Sequence, residues 1–207
     1  MIKLNLSYEP VLIKGYINIG MKPIKQLQEE YPNQNFDKDV IIKEWDIANL
    51  PLESESVDEI RAVKFFEYLT PQQEQIAFYE IARVLKHNAV FDISVPDFDQ
   101  IMQFWLTFQD DEEDWLNLKE GIVKSEHWFG TYEFSYRHKW GYLLACIFGN
   151  HNKSKQYHKN CYTTNKLLKI FKTIGFDTAH QTFLSTPRSE YNKVIHMTTR
   201  KNNDQTI

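Results

Sequence analysis

Residues 56–96 read SVDEIRAVKFFEYLTPQQEQIAFYEIARVLKHNAVFDISVP, and the order of patterns in this stretch decides the fold. Val57-Asp58-Glu59-Ile60-Arg61-Ala62-Val63 reads as a strand. Thr70-Pro71 then opens a helix: the hydroxyl caps the first turn, and proline is tolerated there because its missing N–H would have no partner anyway. Ile76, Phe78, Tyr79, Ala82, Val84 and Leu85 fall mostly at helical spacing, which predicts a helix that stops near His87-Asn88. Ala89 to Val95 is apolar apart from Asp92 and Ser94 and reads as the next strand, closed by Pro96. Strand, helix and strand in so short a span predict a parallel sheet with helices on its faces.

Working outward, Ile2 to Leu6 alternates and reads as a strand, and Gly15 to Ile19 as a second. About nine residues separate them, too few for a full crossover helix. Lys22 to Tyr31 reads as a short helix ended by Pro32, Val40 to Trp45 as a third strand, and Leu50-Pro51-Leu52 as a bend. Beyond Pro96 the character changes. Residues 104–162 hold four of the five tryptophans and an acidic run from Asp110 to Asp114, which predicts an inserted helical lid or an interface at about 99–162. Order returns at Thr163-Thr164-Asn165, which caps a helix carrying Leu167, Leu168, Ile170 and Phe171, with Gly175 at the C-cap. Phe176 to Leu184 and Tyr191 to Thr199 read as an antiparallel pair across Thr186-Pro187, and residues 201–207 as a disordered polar tail. The expectation is one domain over residues 1–200.

Composition narrows the function. The 207 residues are 42% hydrophobic, enough for a core, and the net charge of −4 speaks against a nucleic-acid or acidic-membrane footprint. No 18-residue apolar run predicts a spanning helix, and the apolar start of the chain is too short for a signal peptide. Two cysteines, Cys146 and Cys161, make no disulfide framework, so a reducing, cytoplasmic setting is expected. No glycine lies between Met21 and Glu120, which disfavours a glycine-rich phosphate cradle.

The ordered fragments Asp46-Ile47, Leu50-Pro51-Leu52, Ser56-Val57-Asp58-Glu59-Ile60, Phe66-Glu67, Arg83-Val84-Leu85-Lys86 and Val95-Pro96-Asp97-Phe98 resemble the class I S-adenosylmethionine-dependent methyltransferases of the type 11 group. The resemblance implies an α/β fold: a Rossmann-like, mostly parallel sheet with an antiparallel terminal strand and a helical, aromatic-rich insertion. It implies S-adenosylmethionine as cofactor and methyl transfer to a small-molecule acceptor. The cofactor side would comprise Ser7, Tyr8, Glu9, Gly20, Asp46, Ile47, Glu67 and Tyr68. Departures concentrate there. Ser7-Tyr8-Glu9 stands where the family has a glycine-rich turn, and Gly20 where it has the acid that binds the ribose hydroxyls. Tyr68 replaces the family's histidine, and His87-Asn88-Ala89 replaces a proline-glycine-glycine turn, where asparagine can take the left-handed conformation. The alternative is therefore a methyltransferase-like protein with a degenerate cofactor site that binds a partner, acts as a scaffold or uses the cleft for other chemistry.

Each candidate carries two readings. Asp46 would contact the adenine amino group or cap a turn before Pro51. Asp58 reads as structural. Glu67, Tyr68 and Asp97 lie just past strands, where open parallel sheets bind ligands, while Glu67 also reads as a helix-entry acid near Thr70 and Asp97 as a helix N-cap. His127 or His138 would serve as general base from the lid, with His158 a third candidate. His151, His158 and Cys161 match no metal pattern, so no metal is expected. The aromatics Trp128, Phe129, Tyr132, Trp140 and Tyr142 would line an acceptor pocket or form a homodimer interface.

Overall fold

The computed structural model describes residues 1–7, 12–20, 23–30, 32, 40–107, 146–150, 156–177, 180–181 and 194–202. Seven strands form one sheet: β1 (Lys3–Ser7), β2 (Ile17–Ile19), β3 (Ile41–Lys43), β4 (Val57–Val63), β5 (Leu85–Pro96), and the C-terminal β8 (His180–Gln181) and β9 (Val194–Arg200). Their order is β3-β2-β1-β4-β5-β9-β8. The first five run parallel, and β9 pairs antiparallel with both β5 and β8. The expected architecture, a mostly parallel sheet with an antiparallel terminal strand, is the observed one. Helices among the described residues include α1 (Ile24–Glu30), α2 (Pro71–Val84), α3 (Phe98–Thr107) and α4 (Thr164–Thr173). A two-stranded ribbon, β6 (Gly149–Asn150) with β7 (Gln156–Tyr157), lies within the predicted insertion, after α3.

Register explains why the strands alternate rather than read as unbroken apolar runs. Across β2, β1, β4 and β5, Ile17, Leu4, Ile60 and Phe91 form one row, and Ile19, Leu6, Ala62 and Ile93 the row beside it. These point to one face, where Ala77, Phe78 and Ile81 of α2 and Leu167 and Phe171 of α4 join the buried core. Phe78 stacks on Phe66 at 4.3 Å, and Phe91 meets Phe171 edge to face at 6.0 Å. Each such side chain stabilises the fold by about 1.5–3 kcal/mol. The opposite face carries the intervening row Asn18, Asn5, Arg61, Asp92 and Thr198. There Arg61 faces Asp92 at 3.7 Å, and His196 Nε2 lies 2.6 Å from the same carboxylate.

The short connection between β1 and β2 is held by a side chain. Asn18, buried on β2, accepts from the Ile13 amide (2.8 Å) and from Asn5 Nδ2 (2.9 Å). Its own amide donates to the carbonyls of Ile13, Tyr16 and Ile41, each at 3.1 Å. Backbone groups that a helix would pair internally thus find partners on one asparagine.

Local rules account for the helices. Thr70 and Gln73 form a reciprocal capping box at the start of α2, with Pro71 at its first position. Thr163 caps α4 through the Lys166 amide at 3.1 Å, and Gly175 (φ +75°) ends it with the Phe176 amide bound to the Phe171 carbonyl. The helix α2 ends three residues earlier than its periodicity predicts. The Glu55 and Ser56 amides take the Arg83 and Val84 carbonyls (2.9 Å each), and Leu85 already pairs with Val57. Asn88 follows with φ +61°, the left-handed conformation expected of it. Lys201 and Asn202, read from sequence as the start of a loose tail, are instead tied down. Lys201 is buried, bridges to Phe176 and donates to the Leu85 carbonyl at 3.0 Å. Residues 182–193, with the predicted turn at Thr186-Pro187, and residues 203–207 lie outside the described residues.

Candidate functional site

The carboxyl ends of β2, β3 and β4 converge on a cavity of about 410 Å³. Ile19 and Gly20 enter it from the end of β2, and Pro23 from the approach to α1. Glu44, Trp45, Asp46 and Ile47 come from the chain leaving β3, and Phe65 from the chain leaving β4. The lining is an apolar floor with two carboxylates and an indole at its edge. That is the donor set and size of a small-molecule site, at the sheet edge where open α/β folds bind ligands.

Two residues of α2, Arg83 from the quoted motif and Glu80, hold this wall in place. Arg83 donates to the Leu52 carbonyl at 2.9 Å and to the Leu50 carbonyl at 3.1 Å. It also pairs with Glu80 at 2.7 Å, while Glu80 accepts from the Leu50 amide at the same distance. The Arg83 guanidinium, aided by the Leu50 amide and opposed by partial burial, holds the Glu80 carboxyl below the usual glutamate range. The Leu50-Pro51-Leu52 bend is thereby anchored to α2, and the strip from Glu44 to Ile47 just before it is positioned. Asp58 does comparable work at the other end of the sheet: it accepts from the Ile2 amide at 2.6 Å and pairs with Lys86 at 2.7 Å. Those contacts lower its carboxyl, Lys86 first, and bear out its structural reading.

A second cluster lies on the β5 side of β4. Glu67 and Tyr68 are both buried in the single helical turn Phe66–Tyr68. The Glu67 carbonyl accepts from the Lys159 and Asn160 amides at 2.7 and 3.2 Å, which stitches the 158–162 segment to the end of β4. The His158 ring meets Tyr68 edge to face at 5.1 Å, with Nδ1 3.1 Å from the Cys146 carbonyl. Below it, burial and then the nearby Glu74 carboxylate push the Tyr162 hydroxyl far above its ordinary pKa, so it acts as a structural donor to the Phe66 carbonyl.

Among the predicted site residues, the structure brings Gly20, Asp46 and Ile47 together in the cavity. Ser7 ends β1 opposite Val63 and, like Glu67 and Tyr68, is not part of the lining. Asp97 caps α3 through the Gln100 amide at 3.3 Å and side chain at 2.6 Å, the contact its N-cap reading expects, and does not line the cavity. Asp46 accepts from the Ala48 amide at 2.9 Å, the turn contact expected of it, while still lining the cavity. Tyr8, Glu9, His127, His138 and His151 lie outside the described residues, as do Trp128, Phe129, Tyr132, Trp140 and Tyr142. Among the described residues no three metal-ligating groups converge, and no helix is long and apolar enough to cross a membrane. Sequence reasoning missed Glu44, Trp45 and Phe65. The signal was their place just past β3 and β4, at the carboxyl ends of parallel strands.

Residues 16–93 match the family model described as a methyltransferase domain. Solved structures agree over nearly the whole chain. A Haloferax volcanii methyltransferase, solved in complex with the Trm112 methyltransferase activator, superposes with a TM-score of 0.58 at 12% identity over 99% of this chain and 83% of that one. The fold is that of the S-adenosylmethionine-dependent methyltransferases. A further one, from Methanosarcina mazei, gives 0.56 at 13% identity, over 97% of this chain and 92% of its own. The Synechocystis magnesium protoporphyrin IX methyltransferase, solved with bound S-adenosylhomocysteine, gives 0.51 at 9% identity, over 98% and 74%. A search of curated proteins returns no match. Of the fragments that carried the family resemblance, Asp46-Ile47 lines the cavity between β2, β3 and β4.

Proposed function

We propose that this protein is an S-adenosylmethionine-dependent methyltransferase acting on a small molecule. The observation that carries the reading is the cavity at the carboxyl ends of β2, β3 and β4, lined by Gly20, Asp46 and Ile47 on a methyltransferase fold. Its residues fit a nucleoside. Ile19, Ile47 and Phe65 offer an apolar floor, Trp45 an aromatic surface, and Asp46 a carboxylate for an exocyclic amino group. Ser7, Tyr8 and Glu9 would close the cavity from the end of β1, with Glu67 and Tyr68 below.

When bound, S-adenosylmethionine supplies an electrophilic methyl group on a sulfonium. The chain's own contribution is alignment and proton handling. The chain would position the acceptor and a base would take up its proton, with S-adenosylhomocysteine as the leaving group. His127 or His138 would supply that base from the aromatic segment. His158, against Tyr68 just past β4, would be a third candidate. Donation from its Nδ1 to the Cys146 carbonyl would leave Nε2 as the basic nitrogen. The aromatic segment would cover the acceptor and exclude water, or join two copies. Cys146 and Cys161 are not joined in a disulfide, which suits a cytoplasmic protein.

Calorimetric titration with S-adenosylmethionine and S-adenosylhomocysteine tests this. Micromolar affinity for either, about 8 kcal/mol, supports the reading. The absence of binding at millimolar ligand overturns it and favours the alternative, a cleft that has lost the cofactor, which Gly20 and Ser7-Tyr8-Glu9 motivate.

A further inference from the structure

The acid that would bind the ribose hydroxyls is missing from the end of β2, where Gly20 stands. The neighbouring strand carries one at the same level. The parallel register pairs Ile17 with Ile41, Asn18 with Ile42 and Ile19 with Lys43. One residue further along that register, Gly20 lies beside Glu44. Adjacent strands are about 4.8 Å apart, a gap that a glutamate side chain spans. Gly20 and Glu44 both line the cavity. Glu44 is exposed there and forms no hydrogen bond or ion pair among the described residues, whereas the Asp46 carboxylate is engaged by the Ala48 amide.

Resting on the cofactor reading above, we propose that Glu44 is the ribose-binding residue of this cleft, reaching from β3 over the space that Gly20 leaves open. An ionised carboxylate is an acceptor with two oxygens, so it can take both donors of a vicinal diol at once. Glycine at position 20 adds no side chain to the wall that Glu44 shares. Glycine at the end of β2 is then part of the arrangement: it leaves that wall to an acid relocated by one strand. Gly20 itself is outside the left-handed region, so the backbone does not require glycine at this position.

The test is titration of the full-length protein with S-adenosylhomocysteine and with its 2′,3′-dideoxy analogue. Glu44→Gln is exposed and isosteric, so the fold is retained. It is expected to weaken S-adenosylhomocysteine at least about tenfold, the effect of losing hydrogen bonds to a charged group, and to leave the dideoxy analogue unchanged. Adding Gly20→Asp to that variant is expected to restore most of the loss, because an acid returns to the same wall. Unchanged affinity in Glu44→Gln, or an equal loss for both ligands, overturns the proposal while the cofactor reading stands. A wild-type protein that binds neither ligand overturns the cofactor reading, and this inference with it.

Discussion

Replacing Asn18 by alanine is the most demanding test of how this chain manages without a helix between β1 and β2. The side chain serves five partners: the Ile13 amide and Asn5 Nδ2 at its oxygen, and the Ile13, Tyr16 and Ile41 carbonyls at its nitrogen. Asparagine has two donor hydrogens, so two of those carbonyls share one. The variant therefore leaves about four full hydrogen bonds unmade. A buried polar group without a partner costs about 1–3 kcal/mol, and the loop side of this cluster is only part-buried, so the lower end applies. The expected loss is about 3–4 kcal/mol, a large share of the roughly 5–15 kcal/mol that holds a domain together. In urea it reads as a lower midpoint at unchanged slope, and in heating as a fall of about 6–15 °C. Asn18→Asp is expected to be at least as damaging, because a carboxylate cannot donate to three carbonyls. Loss of under about 1 kcal/mol in Asn18→Ala would refute the reasoning: the connection would then be held by something other than this side chain.

Other expectations follow from the wall of the cavity. Arg83→Ala releases the Leu50 and Leu52 carbonyls and the Glu80 pair. Discounted for a side chain that is 36% exposed, it is expected to cost about 1–2 kcal/mol in urea unfolding. Arg83→Lys is expected to recover little, because an ammonium cannot fork between two carbonyls and a carboxylate. The Glu80 carboxyl is depressed by Arg83, so its stabilisation is complete above the ordinary glutamate value of about 4.3 and fades as pH falls through its lower folded value. Glu80→Gln is expected to flatten the stability-against-pH curve below about pH 4.3 and leave its shape at neutral pH unchanged. A curve parallel to wild type throughout the acid limb would refute that assignment. Asp46→Ala is expected to weaken S-adenosylhomocysteine about tenfold in calorimetry while costing under about 1 kcal/mol of stability, since it gives up one exposed turn contact. A stability loss without an affinity loss would reduce Asp46 to its turn.

What the amino-acid sequence determined by itself is local and periodic. The alternation in β1 and β4, the capping box at Thr70, the Gly175 C-cap and the left-handed Asn88 are written within a few residues of chain, and all stand in the structure. The ordered fragments from Asp46 to Phe98 were also enough to identify the architecture. Tertiary structure decided what depends on distant partners. Helix α2 stops at Val84 because Glu55 and Ser56, nearly thirty residues upstream, take its last carbonyls. Lys201 is ordered because Leu85 offers it a carbonyl. Asn18 reads from sequence as one more polar residue on a strand, and only the returning loop shows it as the clasp of the first connection. The cavity divides the same way. Asp46 and Ile47 could be named from a motif, but Glu44 gained its place only when parallel pairing set β3 beside β2 and brought it level with Gly20. Side-chain partners separated by tens of residues leave no periodicity to read, because register between strands is fixed by burial of a whole face rather than by any one residue.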